Sequence, residues 1–189
     1  MWHPFPEAVS LRLLCYRDCH EFGAGDRAMP CYLFTFHAYG TWMPDREKGF
    51  VRRGKGILPP SREMAKQYRG RASEPTTSFD AKMQKLLIQE TRIACEKQQY
   101  RGHCIATDAT HVHALISWPD NRNWPKVRNG LKSSLTRRLN RNIGQRRHWF
   151  VAGASRKRVK DKTHFGHLIN VYLPSHRGWK WREGEEMFL

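Results

Sequence analysis

The sixteen residues His103-Cys104-Ile105-Ala106-Thr107-Asp108-Ala109-Thr110-His111-Val112-His113-Ala114-Leu115-Ile116-Ser117-Trp118 decide how the chain folds. Two short runs of β-forming residues, His103–Thr107 and His111–Trp118, flank the turn-forming Asp108-Ala109-Thr110, so the spacing predicts neighbouring antiparallel strands. Side chains alternate across a strand, which turns Val112 into the core and sends His111 and His113 together to the opposite face. Two neutral imidazoles side by side make half a metal site. For a lone H-x-H triplet two solvent-facing or hydrogen-bonded histidines on an edge strand are the commoner arrangement, and the triplet alone is a weak signal.

Upstream, Cys31–Ala38 (CYLFTFHA) is aromatic and almost continuously apolar between Pro30 and Gly40, as a buried central strand requires. Residues 44–75 are rich in Gly, Pro, Arg and Lys and read as a long excursion able to touch nucleic acid. Ser78 is placed to cap a helix running to Gln98. Downstream, Pro125 opens a helix on which Val127, Leu131, Leu135 and Leu139 recur every four residues. Trp149-Phe150-Val151 reads as a fourth short strand, and Thr163 as the cap of a last helix containing Leu168, Ile169 and Tyr172. The resulting order β, α, β, β, α, β, α predicts an α+β fold: a ferredoxin-like antiparallel sheet with helices packed on one face and a C-terminal helix carrying Tyr172.

At 189 residues the chain has room for one domain, expected over 29–189. Residues 1–28 hold Pro4 and Pro6 and no sustained period, and read as a loose extension, with Met29 as the expected natural start. A helix over 8–16 is the alternative there, and Cys15, Cys19 and His20 lack a matching second pair for zinc. Five scattered cysteines do not make a secreted disulfide framework, and no signal peptide or membrane-length apolar run is present, so a reducing, cytoplasmic setting near the nucleoid is expected.

Charge names the partner. Lys and Arg number 34 against 17 Asp and Glu, a formal +17, which self-repels unless a polyanion meets it. From Arg122 to Lys162 fourteen Lys/Arg face one acid, Asp161, and solvated helix faces are usually more mixed in sign. Lys132, Arg137, Arg138 and Arg141 on the basic helix, Arg156-Lys157-Arg158 before the last helix, and Arg177 with Trp179 are the candidate nucleic-acid contacts. Trp179 and Trp181 serve equally well as stacking platforms or as buried anchors.

Read with the C-terminal stretch Tyr172-Leu173-Pro174-Ser175-His176-Arg177-Gly178-Trp179-Lys180-Trp181 and the opening Phe34–Asp45 (FTFHAYGTWMPD), the chain from Cys31 to Trp181 resembles the single-tyrosine HUH transposases. It is most similar in motif order to the REP-associated tyrosine transposases and insertion-sequence 200-like transposases. The resemblance implies cleavage and rejoining of single-stranded DNA beside hairpins, with Tyr172 as nucleophile forming a 5′-phosphotyrosine, His111 and His113 as ligands of a divalent metal, and a homodimer, in some relatives with one subunit's tyrosine helix completing the other's site. It implies neither a nucleotide cofactor nor a membrane.

Relatives often carry Gln or Asn one helical turn after the tyrosine, where this chain has His176. Positions i and i+4 share a helix face, although Pro174 disfavours helix between them. The cation expected from the family is Mg²⁺ or Mn²⁺, while three imidazoles suit Mn²⁺, Zn²⁺ or Co²⁺ better than Mg²⁺. Asp108 stands where many relatives read Met-Pro-Asn/Asp, as a metal-site carboxylate or a turn residue. Tyr172 has its own bland reading, an amphipathic residue with its hydroxyl at the rim. Two rivals share these features: a hairpin DNA or RNA binder that no longer cuts, and a metal-dependent nuclease using water.

Overall fold

The computed structural model describes residues 29–52 and 54–189; the expectations for residues 1–28, including the helix over 8–16 and the Cys15/Cys19/His20 half site, lie outside them. The described elements, in chain order, are β1 (Cys31–His37), β2 (Phe50–Arg52), β3 (Gly56–Leu58), α1 (Arg62–Gly70), α2 (Ala81–Gln98), β4 (Arg101–Asp108), β5 (His111–Ser117), α3 (Trp124–Ile143), β6 (Ser155–Arg158), α4 (Lys162–His167), a π-helical turn (Leu168–Tyr172) and β7 (Lys180–Arg182).

The main sheet runs β6-β1-β5-β4-β7, every pairing antiparallel. Without its last strand this is the ferredoxin-like order, in which β1-α2-β4 and β5-α3-β6 interleave. Register fixes the faces. Phe36 pairs with Val112 and Phe34 with Ala114, so the β1 aromatics and the apolar half of β5 lie together under α2 and α3, with Leu87, Leu131 and Leu135 in the same core. Each fully buried Leu contributes roughly 1.5–3 kcal/mol. Leu33, Leu115, Cys104 and Ala106 face the other way and are covered by Phe165, Leu168, Ile169 and Leu173. The two long helices thus share one face, as expected, and the C-terminal helical segment adds a second layer on the opposite face.

Local chemistry accounts for the helix ends. Asn123 accepts from the Lys126 amide, Pro125 sits in the first turn, and Gly144 closes α3 in the left-handed region at φ 73°. For α2 the cap is Asp80, not Ser78: its Oδ1 accepts from the Met83 amide at 2.7 Å, while Phe79 is buried and its amide bonds the β4–β5 turn at Ala109 O. Asp161, not Thr163, caps α4 by accepting from the His164 amide.

Three further expectations change. Residues 149–151 form only an isolated bridge, Ala38 to Phe150, and the fourth core strand is Ser155–Arg158. All four β6 side chains are exposed, so no apolar alternation announces the strand; backbone pairing to β1 makes it. Trp149 instead fills the core, its indole N–H on Asn140 Oδ1. The 44–75 excursion folds as the β2–β3 hairpin and α1, the hairpin being closed where Gly49 (φ 74°) passes so near Leu58 O that a Cβ would stand 2.1 Å away. The last helix stops at Tyr172, before Pro174, through a π-helical turn.

Cys31, Cys95 and Cys104 are buried and outside any disulfide; burial pushes the thiols of Cys95 and Cys104 up to about 12, which leaves them protonated and inert. Among the described residues no helix is long and apolar enough to cross a membrane.

Candidate functional site

On the sheet face away from α2 and α3, the ring nitrogens of His111, His113 and His176 come within 4.8 Å of one another. β5 supplies the first two by alternation, with Val112 between them fully buried on the other side. The His111 and His113 ring centroids are 4.7 Å apart, and His176 sits 4.4 Å from His113 and 5.4 Å from His111.

His176 arrives differently from the expected helical i, i+4 relation. The helix has ended, and a turn over residues 173–176 with Pro174 inside it carries the ring back so that its Nδ1 lies 3.0 Å from Tyr172 O and 3.2 Å from Leu173 O. Carbonyls only accept, so Nδ1 is the donor there, and Nε2 is the nitrogen of this ring left to ligate. Thr35 Oγ1 similarly engages His113 Nδ1 at 2.8 Å, and Thr110 Oγ1 engages His111 Nδ1 at 2.9 Å. Each ring is thus oriented through one nitrogen with the other left free, the arrangement that metal-binding histidines use.

Burial, reinforced by the charge of His111, His176 and His37, pushes His113 down to about 2, and burial with His176 lowers His111. Both stay neutral at physiological pH, the state a metal requires. The triad can bind a metal ion. Asp108 is not in this group; its carboxylate accepts from the Ala109 amide as a turn residue.

Tyr172 closes one side. Its ring lies 5.4 Å from His113 and 5.1 Å from His176, 38% exposed, with burial raising its phenol above the ordinary value. A single chain therefore brings Tyr172 to its own histidines. The chain after His176 is clamped: Gln84 Oε1 accepts from the Trp179 amide and the Thr107 hydroxyl, that hydroxyl also lies 2.6 Å from Trp179 O, and the buried Lys180 ammonium donates to His176 O at 2.8 Å.

The basic candidates separate. Lys132 is tied to the carbonyls of Val151 and Gly153. Arg137, Arg138 and Arg141, with Lys97 and Lys126, line a groove of about 630 Å³ between α2 and α3, behind the sheet from the histidines. On β6, register places Lys157 opposite Leu33 on the histidine face and Arg156 and Arg158 opposite Phe34 and Tyr32 on the helix face, where Arg156 stacks 4.1 Å over Trp124. Arg177 is exposed directly after His176. The Trp179 ring packs against the core beneath the Lys85 ammonium, 3.8 Å from its centroid, an anchor more than an open platform.

Residues not anticipated from sequence complete the site. Thr35 and His37 share the histidine face because β1 pairs in register with β5, Thr35 with His113 and His37 with His111. His37 lies 5.7 Å from His111 and is pushed down to about 4 by burial and by the charges of His111 and Arg46. The period-2 spacing of Thr35 and His37 was a usable signal, but only pairing shows what it faces.

No protein family and no curated protein matches the sequence. Among solved structures the chain is similar to a REP-associated tyrosine transposase bound to a REP hairpin, at 9% identity over 74% of this chain with a TM-score of 0.42; it spans 62% of that protein's length. It is also similar to a candidate transposase from Deinococcus radiodurans R1, at 13% identity over 84% of this chain and 98% of the other, again at TM-score 0.42. Overlap at that level assigns no activity.

Proposed function

We propose that the protein is a metal-dependent DNA strand transferase that cuts and rejoins single-stranded DNA beside hairpins, with Tyr172 as the nucleophile. The observation that carries this reading is the phenol ring of Tyr172 set against two of three imidazoles whose free nitrogens converge.

His111, His113 and His176 would hold the cation, and a set of imidazole nitrogens with no carboxylate suits Mn²⁺, Zn²⁺ or Co²⁺ over Mg²⁺. When bound, the ion supplies Lewis acidity at a phosphate oxygen. Tyr172 Oη attacks phosphorus in line; the new bond joins Oη to phosphorus, the bond from phosphorus to the 3′ oxygen breaks, and the proton given up by the phenol balances the one that oxygen takes up to leave as the 3′-hydroxyl. The 5′-phosphotyrosine conserves the ester bond, so a second 3′-hydroxyl reverses the step without a nucleotide cofactor. His176, pinned through Nδ1, and Thr35, pinning His113, hold the cluster fixed while Tyr172 attacks. Lys157 and Arg177 would meet phosphates on the histidine face, and Arg137, Arg138, Arg141, Arg156 and Arg158 would meet the hairpin stem around the β6 edge and in the α2–α3 groove. Homodimerisation belongs to the same reading.

The test is incubation with end-labelled single-stranded DNA from the flanks of the protein's own gene, with Mn²⁺ or Mg²⁺, followed by a denaturing gel. Label at protein size, lost with EDTA and with Tyr172→Phe, is expected. Cleavage surviving Tyr172→Phe would assign the chemistry to water, and binding with no adduct in any metal would make the protein a hairpin binder.

A further inference from the structure

Beside the histidine cluster stands a stack that the proposed chemistry leaves unused. His37 is paired in register with His111; the Trp42 ring lies 4.5 Å from His37, and the Arg46 guanidinium lies 4.3 Å over Trp42. The loop that carries it is fastened at several points. Thr41 Oγ1 donates to Ala38 O at 2.7 Å, the Ser61 amide to Pro44 O at 2.9 Å, and the Gly49 amide to Arg46 O at 2.8 Å. The neighbouring carboxylate, Asp45, is already engaged by Arg69.

A guanidinium stacked on an indole uses its π face and leaves its in-plane N–H fork free, the geometry that matches a phosphate's oxygens. Among the described residues Arg46 has no carboxylate partner, and Trp42 is 37% exposed, so the fork stands open at the rim of the site. The chain of ring contacts from His111 to His37, 5.7 Å, from His37 to Trp42 and from Trp42 to Arg46 places the guanidinium beside the histidines, unlike the cations of the α2–α3 groove.

We infer that Arg46, carried on Trp42, is a phosphate clamp for the single strand next to the bond that is cut, gripping one backbone phosphate at the mouth of the histidine cluster. This rests on the reading of the site as a DNA strand transferase. Stacking on Trp42 narrows the positions open to the guanidinium, so less entropy is lost when the strand docks than for a free arginine. Its role is positioning: it sets where the strand lies and leaves the reacting atoms to Tyr172.

The experiment is a cycle between protein and DNA. Wild type, Arg46→Gln and Arg46→Lys are titrated with the flank-derived single strand by anisotropy and assayed for adduct, using oligonucleotides in which one phosphate at a time is a neutral methylphosphonate. Arg46→Gln is expected to raise Kd about tenfold and to lower the slope of log K against log salt by roughly 0.7. Arg46→Lys should keep that slope and recover only part of the affinity. One methylphosphonate position near the cut should weaken wild type and leave Arg46→Gln unaffected.

Equal affinity and salt slope in all three proteins, or a loss in Arg46→Gln that is the same at every methylphosphonate position, overturns the clamp. Adduct formation with no Arg46 effect sinks the clamp and leaves the transferase standing. An Arg46 effect on binding with no adduct from any protein sinks the transferase and leaves the clamp standing as a binding feature.

Discussion

Thr35 Oγ1 lies 2.8 Å from His113 Nδ1, a hydrogen bond between neighbouring strands that reaches across 78 residues of sequence and is buried. It fixes the ring that shares its contacts with His111, His176 and Tyr172. Replacing the hydroxyl by a methyl of the same shape, Thr35→Val, leaves His113 in place but free to rotate and to change tautomer. Metal affinity measured by isothermal titration should fall about 10–100-fold, the usual cost of losing such a partner. Unchanged affinity would mean that packing alone holds the ring.

Gly178 is where the chain leaving His176 passes against β4. A Cβ there would stand 2.3 Å from Thr107 O and 2.4 Å from Gln84 Oε1, and neither neighbour is a free-swinging chain end, since Thr107 O is backbone and Gln84 is buried and hydrogen-bonded. Gly178→Ala should therefore push the segment off the sheet. We expect a loss of about 1–3 kcal/mol in urea unfolding, as for other overpacked sites, together with weaker metal binding because His176 moves with the segment. A variant as stable as wild type would show that the clamp is loose.

The histidine cluster makes the metal-free protein sensitive to acid. His113 is held down to about 2 in the fold, and His37 to about 4, against an ordinary value of 6.5. Between those values and 6.5 the unfolded chain binds protons that the folded chain refuses, so stability is full above about pH 6.5 and falls as pH drops. For His113 alone the slope approaches about 1.4 kcal/mol per pH unit. Urea melts at pH 7 and pH 5 in EDTA should show the drop, and His113→Asn should reduce it. A pH-independent midpoint in wild type would contradict the burial of these rings as neutral groups.

Much of the fold is legible in sequence because its signals are local. The four-residue recurrence of Val127, Leu131, Leu135 and Leu139 predicts α3, and all four are fully buried. Alternation in β5 places His111 and His113 on one face with Val112 on the other, and the sheet confirms that placement. Strand β6 was invisible for the converse reason: Ser155-Arg156-Lys157-Arg158 is exposed throughout, and its strand state comes from the free edge of β1.

By itself, then, the sequence determined the elements with an apolar period, the shared face of His111 and His113, and an excess of positive charge that calls for a polyanion. Tertiary structure decided what no local period encodes. Register between β1 and β5 brought Thr35 and His37 to the histidines. A turn built around Pro174, not a continuous helix, returned His176 to Tyr172. Tertiary packing then divided the cations, the Trp42 stack setting Arg46 beside the site and the α2–α3 groove holding Arg137, Arg138 and Arg141 behind it. Periodicity reports which way a side chain points from its own strand or helix; what it meets there depends on pairings between residues far apart in the chain.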